Sequence, residues 1–184
     1  KTRKFPAFNA TDPHMANHYG TLNVLSHLRK NEQVMSVSAC QNSTLNNYLE
    51  MGGIIAQAID ELDCRVVMLA SGALSHAFTK IDEPARNANF FNPENVFSEQ
   101  NRKLDHEVVD MFGAGRHDQV LDRYDDLQAA KMEGWGSHYF QMIGALGGAD
   151  CRLTGTPMSE YENARGTGNI HIWFDIPGAA RQAA

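Results

Sequence analysis

Two short stretches of the sequence carry side chains suited to acid–base or metal chemistry. The first is an apolar run over residues 65–76 that ends on His76. Because an imidazole titrates near neutral pH, His76 is a candidate general acid or base. The second is the segment 132–136 (MEGWG), in which Glu133 stands among residues that solvate a charge poorly. Coordination to a metal ion would stabilise a carboxylate in such surroundings.

Both residues also have a purely structural explanation. A histidine at the end of a strand can be a partly buried, hydrogen-bonded side chain without a chemical role. Glu133 can be a glutamate in the first turn of a helix, where the helix dipole favours a negative charge. The residues themselves leave these alternatives open.

A third group of candidates lies near the amino end. His14 and His18 are four residues apart in a loop that leads into a helix. Pro13 and Gly20 disfavour regular helical geometry there, so the pair is a weak metal site. A histidine beside Tyr19 can instead donate hydrogen bonds to a phenolate. A surface position in a loop is the alternative explanation, and it suits His14 better than His18.

The other histidines and two glutamates are explained by the elements that carry them. We expect His27, His106 and His117 on solvated helix faces and His171 at a structural position in a strand. The side chain of His138 could point toward Glu133 or away from it. We expect Glu160 and Glu162 to be exposed. The segment 71–75 (SGALS) is not a G-x-S-x-G elbow, so Ser75 next to His76 does not indicate a serine hydrolase.

Periodicity predicts the elements that position these residues. The run 65–71 has the length and β-branched content of a buried parallel strand, and ligands bind just beyond the carboxyl ends of such strands. The long connection 77–97 is of the kind that often lines binding sites. The predicted helices are 21–30, 45–62, 98–112, 117–131 and 137–146; the predicted strands are 33–39, 65–71, 153–157 and 170–174, with a loop over 159–169. We predict one α/β domain over 1–184, with a mostly parallel or mixed central sheet flanked by helices.

Composition narrows the class of protein. A net charge of −6 disfavours a nucleic-acid or anionic-membrane partner. The sequence has no apolar run long enough to span a bilayer and no signal-peptide pattern. The three cysteines, Cys40, Cys64 and Cys151, are far apart and form no C-x-x-C pair, as expected for reduced thiols in a cytoplasmic protein.

The order of motifs along the chain resembles the class III (LigB-type) extradiol ring-cleavage dioxygenases. The likeness is greatest to the homoprotocatechuate 2,3-dioxygenase and 2-aminophenol 1,6-dioxygenase branches. The SG-x-LSH element and the EG element are the specific ones, and GTG alone is weak. The matching segments are 18–22 (HYGTL), 34–39 (VMSVSA), 69–76 (LASGALSH), 133–134 (EG), 143–147 (IGALG), 166–168 (GTG) and 174–177 (FDIP).

This resemblance implies a function and a role for each candidate residue. It implies a LigB-like fold, a non-haem Fe(II) cofactor, and opening of a catechol-type or 2-aminophenol-type ring by O₂ in a homo- or hetero-oligomer. His76 would be the acid–base histidine and Glu133 the carboxylate ligand of the iron. His18, with Tyr19 beside it, would contact the substrate, although Asn17 stands where many members have aspartate. Phe90, Phe91 and Trp135 could form the wall of an aromatic pocket, or could belong to the core.

The resemblance also implies two histidine ligands on amino-terminal strands, and residues 1–17 contain no matching motif. The sequence could therefore be the carboxyl-terminal part of a longer dioxygenase chain. It could also be a metal-free structural subunit of a hetero-oligomeric dioxygenase with the same fold. The presence of both His76 and Glu133 favours the first interpretation. A different metal-dependent hydrolase is a third possibility.

Overall fold

The computed structural model describes residues 12, 14, 18–38, 42–62 and 64–177. The α-helices are α1 (Tyr19–Leu28), α2 (Leu45–Leu62), α3 (Glu99–Gly113), α4 (His117–Asp122), α5 (Tyr124–Ala129) and α6 (Ser137–Ala145). The strands are β1 (Gly155–Pro157), β2 (Glu162–Ala164), β3 (Thr167–Asn169) and β4 (Ile172–Phe174). Short 3₁₀ turns lie at Pro93–Asn95, Glu133–Gly136 and Gly148–Asp150.

The core is organised around the close crossing of α2 and α6. Phe140 and Ile143 of α6 are completely buried among the side chains of α3, α4 and α5. At the crossing, a Cβ atom added to Gly52 would lie 2.6 Å from the backbone nitrogen of Ala145. A Cβ atom on Gly144 would lie 2.7 Å from the Cα of Leu49. The two helix backbones can approach this closely only because glycine stands at the contact on each side.

The strands form two small antiparallel pairs. β1 pairs with β4, with Gly155 opposite Phe174, and β2 pairs with β3 in a hairpin. The hairpin turns at Arg165 and Gly166, both of which have positive φ. The predicted strands 153–157 and 170–174 are therefore present in shorter form, whereas the predicted loop over 159–169 was wrong because it contains this hairpin.

The predicted central parallel sheet is not seen in the described part of the chain. Residues 33–38 and 65–71, two of its expected strands, have no regular secondary structure there, and residue 39 lies outside the described residues. Their apolar side chains are largely exposed, with Val67 at 68%. A buried parallel strand is covered on both faces, whereas within the described residues only Met68 and Ala70 of these two segments pack against the core. The architecture is mixed α and β, with small antiparallel sheets.

The helices follow the sequence prediction closely, with one exception. α2 has the predicted bounds, and α3 begins after Ser98, whose hydroxyl accepts a hydrogen bond from the backbone N–H of Asn101. The single helix predicted over 117–131 is interrupted at Arg123, which separates α4 from α5. Hydrophobic periodicity continues through Arg123, so it gave no signal of the interruption.

The long connection 77–97 is held together by its own polar side chains. The guanidinium of Arg86 donates to the backbone oxygens of Glu94, Val96 and Phe97. The amide of Asn95 donates to the backbone oxygens of three residues in the segment 87–90. Apart from the 3₁₀ turn, the connection is irregular, as predicted.

Two further predictions concern the membrane and the thiols. None of the helices in the described part of the chain combines the length and apolar character needed to cross a membrane. Cys64 is an exposed free thiol and Cys151 a buried one. Cys40 lies outside the described residues.

Candidate functional site

Three distant segments of the chain meet at the carboxylate of Glu133. Its Oε2 accepts a 2.7 Å hydrogen bond from the backbone N–H of Ala73, and its Oε1 accepts one of 2.7 Å from the Tyr19 hydroxyl. The Nε2 of His76 lies 3.7 Å from Oε1. The two residues with the most specific motifs, His76 and Glu133, therefore lie side by side at one site, with Tyr19 next to them.

A left-handed turn places Glu133 beside the 71–76 segment. Gly134, Trp135 and Gly136 have φ angles of 56°, 58° and 69°. Tryptophan rarely adopts this conformation, and such strain is maintained only where the surrounding structure enforces it. The buried side chain of Met132 anchors the start of the turn, and α6 begins at its end. The break in helical periodicity seen in the sequence is this turn.

His76 combines a fixed backbone with a reachable side chain. Its N–H donates to the backbone oxygen of Ala130 over 3.1 Å, and its neighbours Ser75 and Ala77 are buried. The side chain is 23% exposed, and its ring packs edge-on against Phe78 with 4.6 Å between centroids. A small molecule can therefore reach the imidazole without displacing the backbone.

His18 and Tyr19 begin α1 at the edge of the same site. The Nδ1 of His18 accepts a 3.2 Å hydrogen bond from the N–H of Gly20, so a neutral His18 carries its proton on Nε2. Ser71 donates from its hydroxyl to the backbone oxygen of Gly20 over 2.9 Å, which joins α1 to the 71–76 segment. His14 is exposed, and no contact within the described residues brings it to the site.

The charge state of Glu133 follows from its neighbours. Partial burial alone would raise the pKa of Glu133, but the hydrogen bonds from Ala73 and Tyr19 and the proximity of His76 outweigh it, and the pKa is lowered. The same hydrogen bond to Glu133 raises the pKa of Tyr19, which therefore keeps its proton. The site holds a carboxylate and a neutral phenol at neutral pH.

His138 is an additional histidine close to this carboxylate. Both of its ring nitrogens are buried and have no hydrogen-bond partner in the described part of the chain. Burial lowers its pKa to about 4, although the charge of Glu133 opposes the shift. Its ring lies against the Cα of Gly72, where an added Cβ atom would come within 3.0 Å of Cε1. Gly72 has no left-handed φ, so the glycine provides space for the ring rather than freedom for a turn.

The described residues fit a metal centre only in part. They contain no group of three or more His, Cys, Asp or Glu side chains placed to hold a metal ion. Glu133 supplies one carboxylate. Both ring nitrogens of the nearby His138 lack a hydrogen-bond partner among the described residues, so they are free to bind a ligand. A two-histidine, one-carboxylate site would need ligands from outside the described residues.

Sequence reasoning misjudged two buried polar residues. His117 was predicted on a solvated face, but it is completely buried and bonded to the Tyr139 hydroxyl and the Leu153 oxygen. Asp105 was not singled out, although it is completely buried below the site. A signal for Asp105 did exist, because it lies three and seven residues before the apolar Val108 and Phe112 on the buried stripe of α3.

Most of the remaining predictions agree with the structure, but His171, expected at a structural strand position, has an exposed side chain and lies just before β4. His27, His106, Glu160 and Glu162 are exposed as expected. Ser75 donates its hydroxyl to Asp105 and not to His76, in agreement with the argument against a serine hydrolase. The aromatic residues proposed as a pocket wall are exposed by 45% (Phe90), 56% (Phe91) and 44% (Trp135), so they do not belong to the core.

A known protein family matches most of this chain. The chain matches, over residues 1–174, the family described as the catalytic LigB subunit of aromatic ring-opening dioxygenase. The chain therefore belongs to the LigB family, which supports an aromatic ring-cleaving dioxygenase activity and an aromatic substrate. A search among curated proteins gave no match.

Proposed function

We propose that this chain carries out extradiol, class III ring cleavage, in which O₂ opens a catechol-type or 2-aminophenol-type ring with the help of Fe(II). The observation that carries the proposal is the 3.7 Å approach of His76 Nε2 to the carboxylate of Glu133, beside Tyr19. Membership of the LigB family supports it independently.

The residues of the site have complementary roles in this proposal. His76 takes a proton from the ring hydroxyl or amine group and later returns one to the product, since its imidazole is both fixed and accessible. His18 presents its Nε2–H toward a phenolate oxygen, because its Nδ1 is engaged by Gly20. Tyr19 stays protonated and donates its single hydroxyl proton to Glu133, so it can donate to the substrate only by exchanging that bond for one to the phenolate.

Fe(II) is the cofactor that the proposal requires. When bound, it would provide a path for electrons from the aromatic ring to O₂. Glu133 would serve as its carboxylate ligand, and two histidines from a part of the protein outside this sequence would complete the set. The sequence is then the carboxyl-terminal part of a longer chain, acting in the cytoplasm as a homo- or hetero-oligomer. A metal-free subunit of a dioxygenase is the alternative, and the experiment below separates the two.

The test is made on the intact gene product. We expect bound iron and oxygen uptake with 2-aminophenol or a member of a catechol panel, including homoprotocatechuate; the preferred compound assigns the branch. An intact protein with neither iron nor uptake would be the structural subunit. If the protein takes up no oxygen but hydrolyses one of these compounds, it is a different metal-dependent hydrolase.

Variants of the two central residues test the assigned roles. His76→Phe should keep its iron and lose turnover by about 100-fold or more, the usual contribution of general acid–base catalysis. Glu133→Ala should lose iron. His171→Phe, at an exposed histidine that makes none of the contacts described for the site, is the matched control and should keep both properties. Unchanged turnover in His76→Phe, or full iron in Glu133→Ala, would overturn the corresponding role.

A further inference from the structure

A buried carboxylate contacts Ser75, the residue before His76. Asp105 of α3 is completely buried, and its Oδ1 accepts a 2.9 Å hydrogen bond from the N–H of Ser75. Its Oδ2 accepts bonds of 2.6 Å from the hydroxyls of Ser75 and Tyr161. Asp105 forms no ion pair within the described residues, so these three donors are what stabilise it.

Each polar atom of Ser75, the residue before His76, forms a hydrogen bond. Asp105 binds the N–H and the hydroxyl of Ser75, and the Ser75 oxygen accepts a 2.9 Å bond from the N–H of Gly168 in β3. The oxygen of Gly168 in turn accepts from the N–H of Leu74 over 3.0 Å. A Cβ atom on Gly168 would lie 2.9 Å from the Tyr161 ring, so β3 can pack this closely only with glycine.

This arrangement is costly if its only purpose is stability. A buried carboxylate loses its hydration, and an apolar side chain of similar size often stabilises a core equally well or better. Burial raises the pKa of Asp105 despite the bonds from Ser75 and Tyr161, which reflects that cost. What an apolar residue could not do is fix both the backbone and the side chain of Ser75 in one orientation.

We propose that Asp105 is a positioning residue, which acts through Ser75 to hold the imidazole of His76 beside the carboxylate of Glu133. Tyr161 completes the arrangement by fixing the second oxygen of Asp105. This inference rests on the proposed function of His76, and it goes further by assigning a role to a carboxylate that touches neither substrate nor metal.

Two tyrosine hydroxyls of the core provide a matched test. Tyr161→Phe removes the bond to Asp105, whereas Tyr139→Phe removes a buried bond to His117 at another place. Both variants should lower the urea midpoint. Only Tyr161→Phe should also lower kcat with KM unchanged. Asp105→Asn should lower kcat by about tenfold or more, because small displacements of a catalytic group are expensive.

A second readout does not depend on activity. In ¹H–¹³C NMR spectra of the intact protein, the ring signals of His76 should shift or broaden in Asp105→Asn and Tyr161→Phe and stay unchanged in Tyr139→Phe. If the wild-type protein is inactive but these spectra change as expected, the proposed function fails and the positioning role stands. Unchanged His76 signals in Tyr161→Phe, or a kcat that falls equally in both tyrosine variants, would overturn the inference. Should Asp105→Asn not fold, the tyrosine pair decides.

Discussion

The hydroxyl of Tyr19 donates a 2.7 Å hydrogen bond to Glu133, a residue 114 positions later in the chain. This bond joins the first turn of α1 to the left-handed turn before α6. It also sets the charge of the site, since the pKa of Glu133 is lowered and that of Tyr19 is raised.

Removal of this hydroxyl should weaken the fold in a pH-dependent way. Tyr19→Phe should lose about 0.5–1.5 kcal/mol of unfolding free energy at neutral pH, the usual range for one hydrogen bond. A carboxyl with a lowered native pKa stabilises the fold above its unfolded value, 4.5 here, and this contribution is lost as pH falls through the native pKa. The difference between wild type and Tyr19→Phe should therefore be largest above pH 4.5 and shrink on acidification, as measured by urea unfolding.

The matched control for this experiment is Tyr124→Phe. The hydroxyl of Tyr124 has no hydrogen-bond partner in the described part of the chain, while its ring packs on Phe140. A loss in Tyr124→Phe equal to that in Tyr19→Phe, or a difference that persists at low pH, would contradict the role given to the Tyr19–Glu133 bond.

Two adjacent glycines of α2 should respond to alanine in opposite directions. Gly52→Ala places a Cβ atom against the backbone of α6, 2.6 Å from the Ala145 nitrogen, and should destabilise by about 1–3 kcal/mol. Gly53→Ala meets nothing within 4 Å and should stabilise by about 0.5–1 kcal/mol, because alanine is the better helix former. Thermal and urea unfolding of the pair measure both effects. Equal responses would show that α2 and α6 do not cross as described.

The space occupied by His138 can be tested from the other side of the contact. Gly72→Ala should cost about 1–3 kcal/mol of stability, because the added Cβ atom would displace the His138 ring. The φ angle of Gly72 is one that alanine adopts without strain, so the cost would come from this contact alone. When His138 is already alanine, there is no ring for the new Cβ atom to meet. Gly72→Ala should therefore cost much less stability in the His138→Ala background than in the wild-type protein. A double variant with simply additive losses, measured by urea unfolding, would argue against the contact.

Buried His117 should make the fold acid-sensitive. Its Nε2–H donates to the Leu153 oxygen and its Nδ1 accepts from the Tyr139 hydroxyl, so the neutral ring satisfies both nitrogens. Burial lowers its pKa from 6.5. Because the unfolded chain then binds the proton more readily, unfolding free energy should fall as pH drops below 6.5 toward the native pKa. In His117→Gln the pH dependence should become weaker without vanishing, because buried His138, whose pKa is lowered to about 4, contributes over the same range. The exposed His27→Gln should retain the full dependence; the comparison is made by urea unfolding at pH 7.5, 6.0 and 5.0.

Local patterns predicted the helices and the two central residues of the site. The periodic apolar residues of α2 and the capping residue Ser98 act within a few positions of the chain, so the sequence contains their signals directly. His76 was found because it ends an apolar run, and Glu133 because it stands beside glycine where a helical pattern breaks. Their 3.7 Å approach could not be read from spacing, because it depends on hydrogen bonds that join residues 73–76 to residues 130–133, more than 50 positions later.

The errors have a common physical origin. The run at 65–71 was interpreted as a buried strand from its composition, but a buried strand needs neighbours on both faces. Within the described residues only Met68 and Ala70 of this run pack against the core. His117 and Asp105 were overlooked or misplaced because their partners, Tyr139 and Tyr161, lie 22 and 56 residues away. A polar residue within the apolar stripe of a helix indicates that a buried hydrogen-bond partner exists. It does not indicate which residue that partner is.

The attachment of α1 to the rest of the protein is coupled to ligand binding at Glu133. All ten residues of this helix lack full burial, and it is held by polar contacts: Tyr19 to Glu133, Gly20 to Ser71, and Thr21 to Ser36. A ligand that competes with Tyr19 for the Glu133 carboxylate therefore weakens the hold on the helix. Reciprocity of coupled equilibria requires the converse as well: a partner that clamps the helix in place would reduce affinity for that ligand by the same factor.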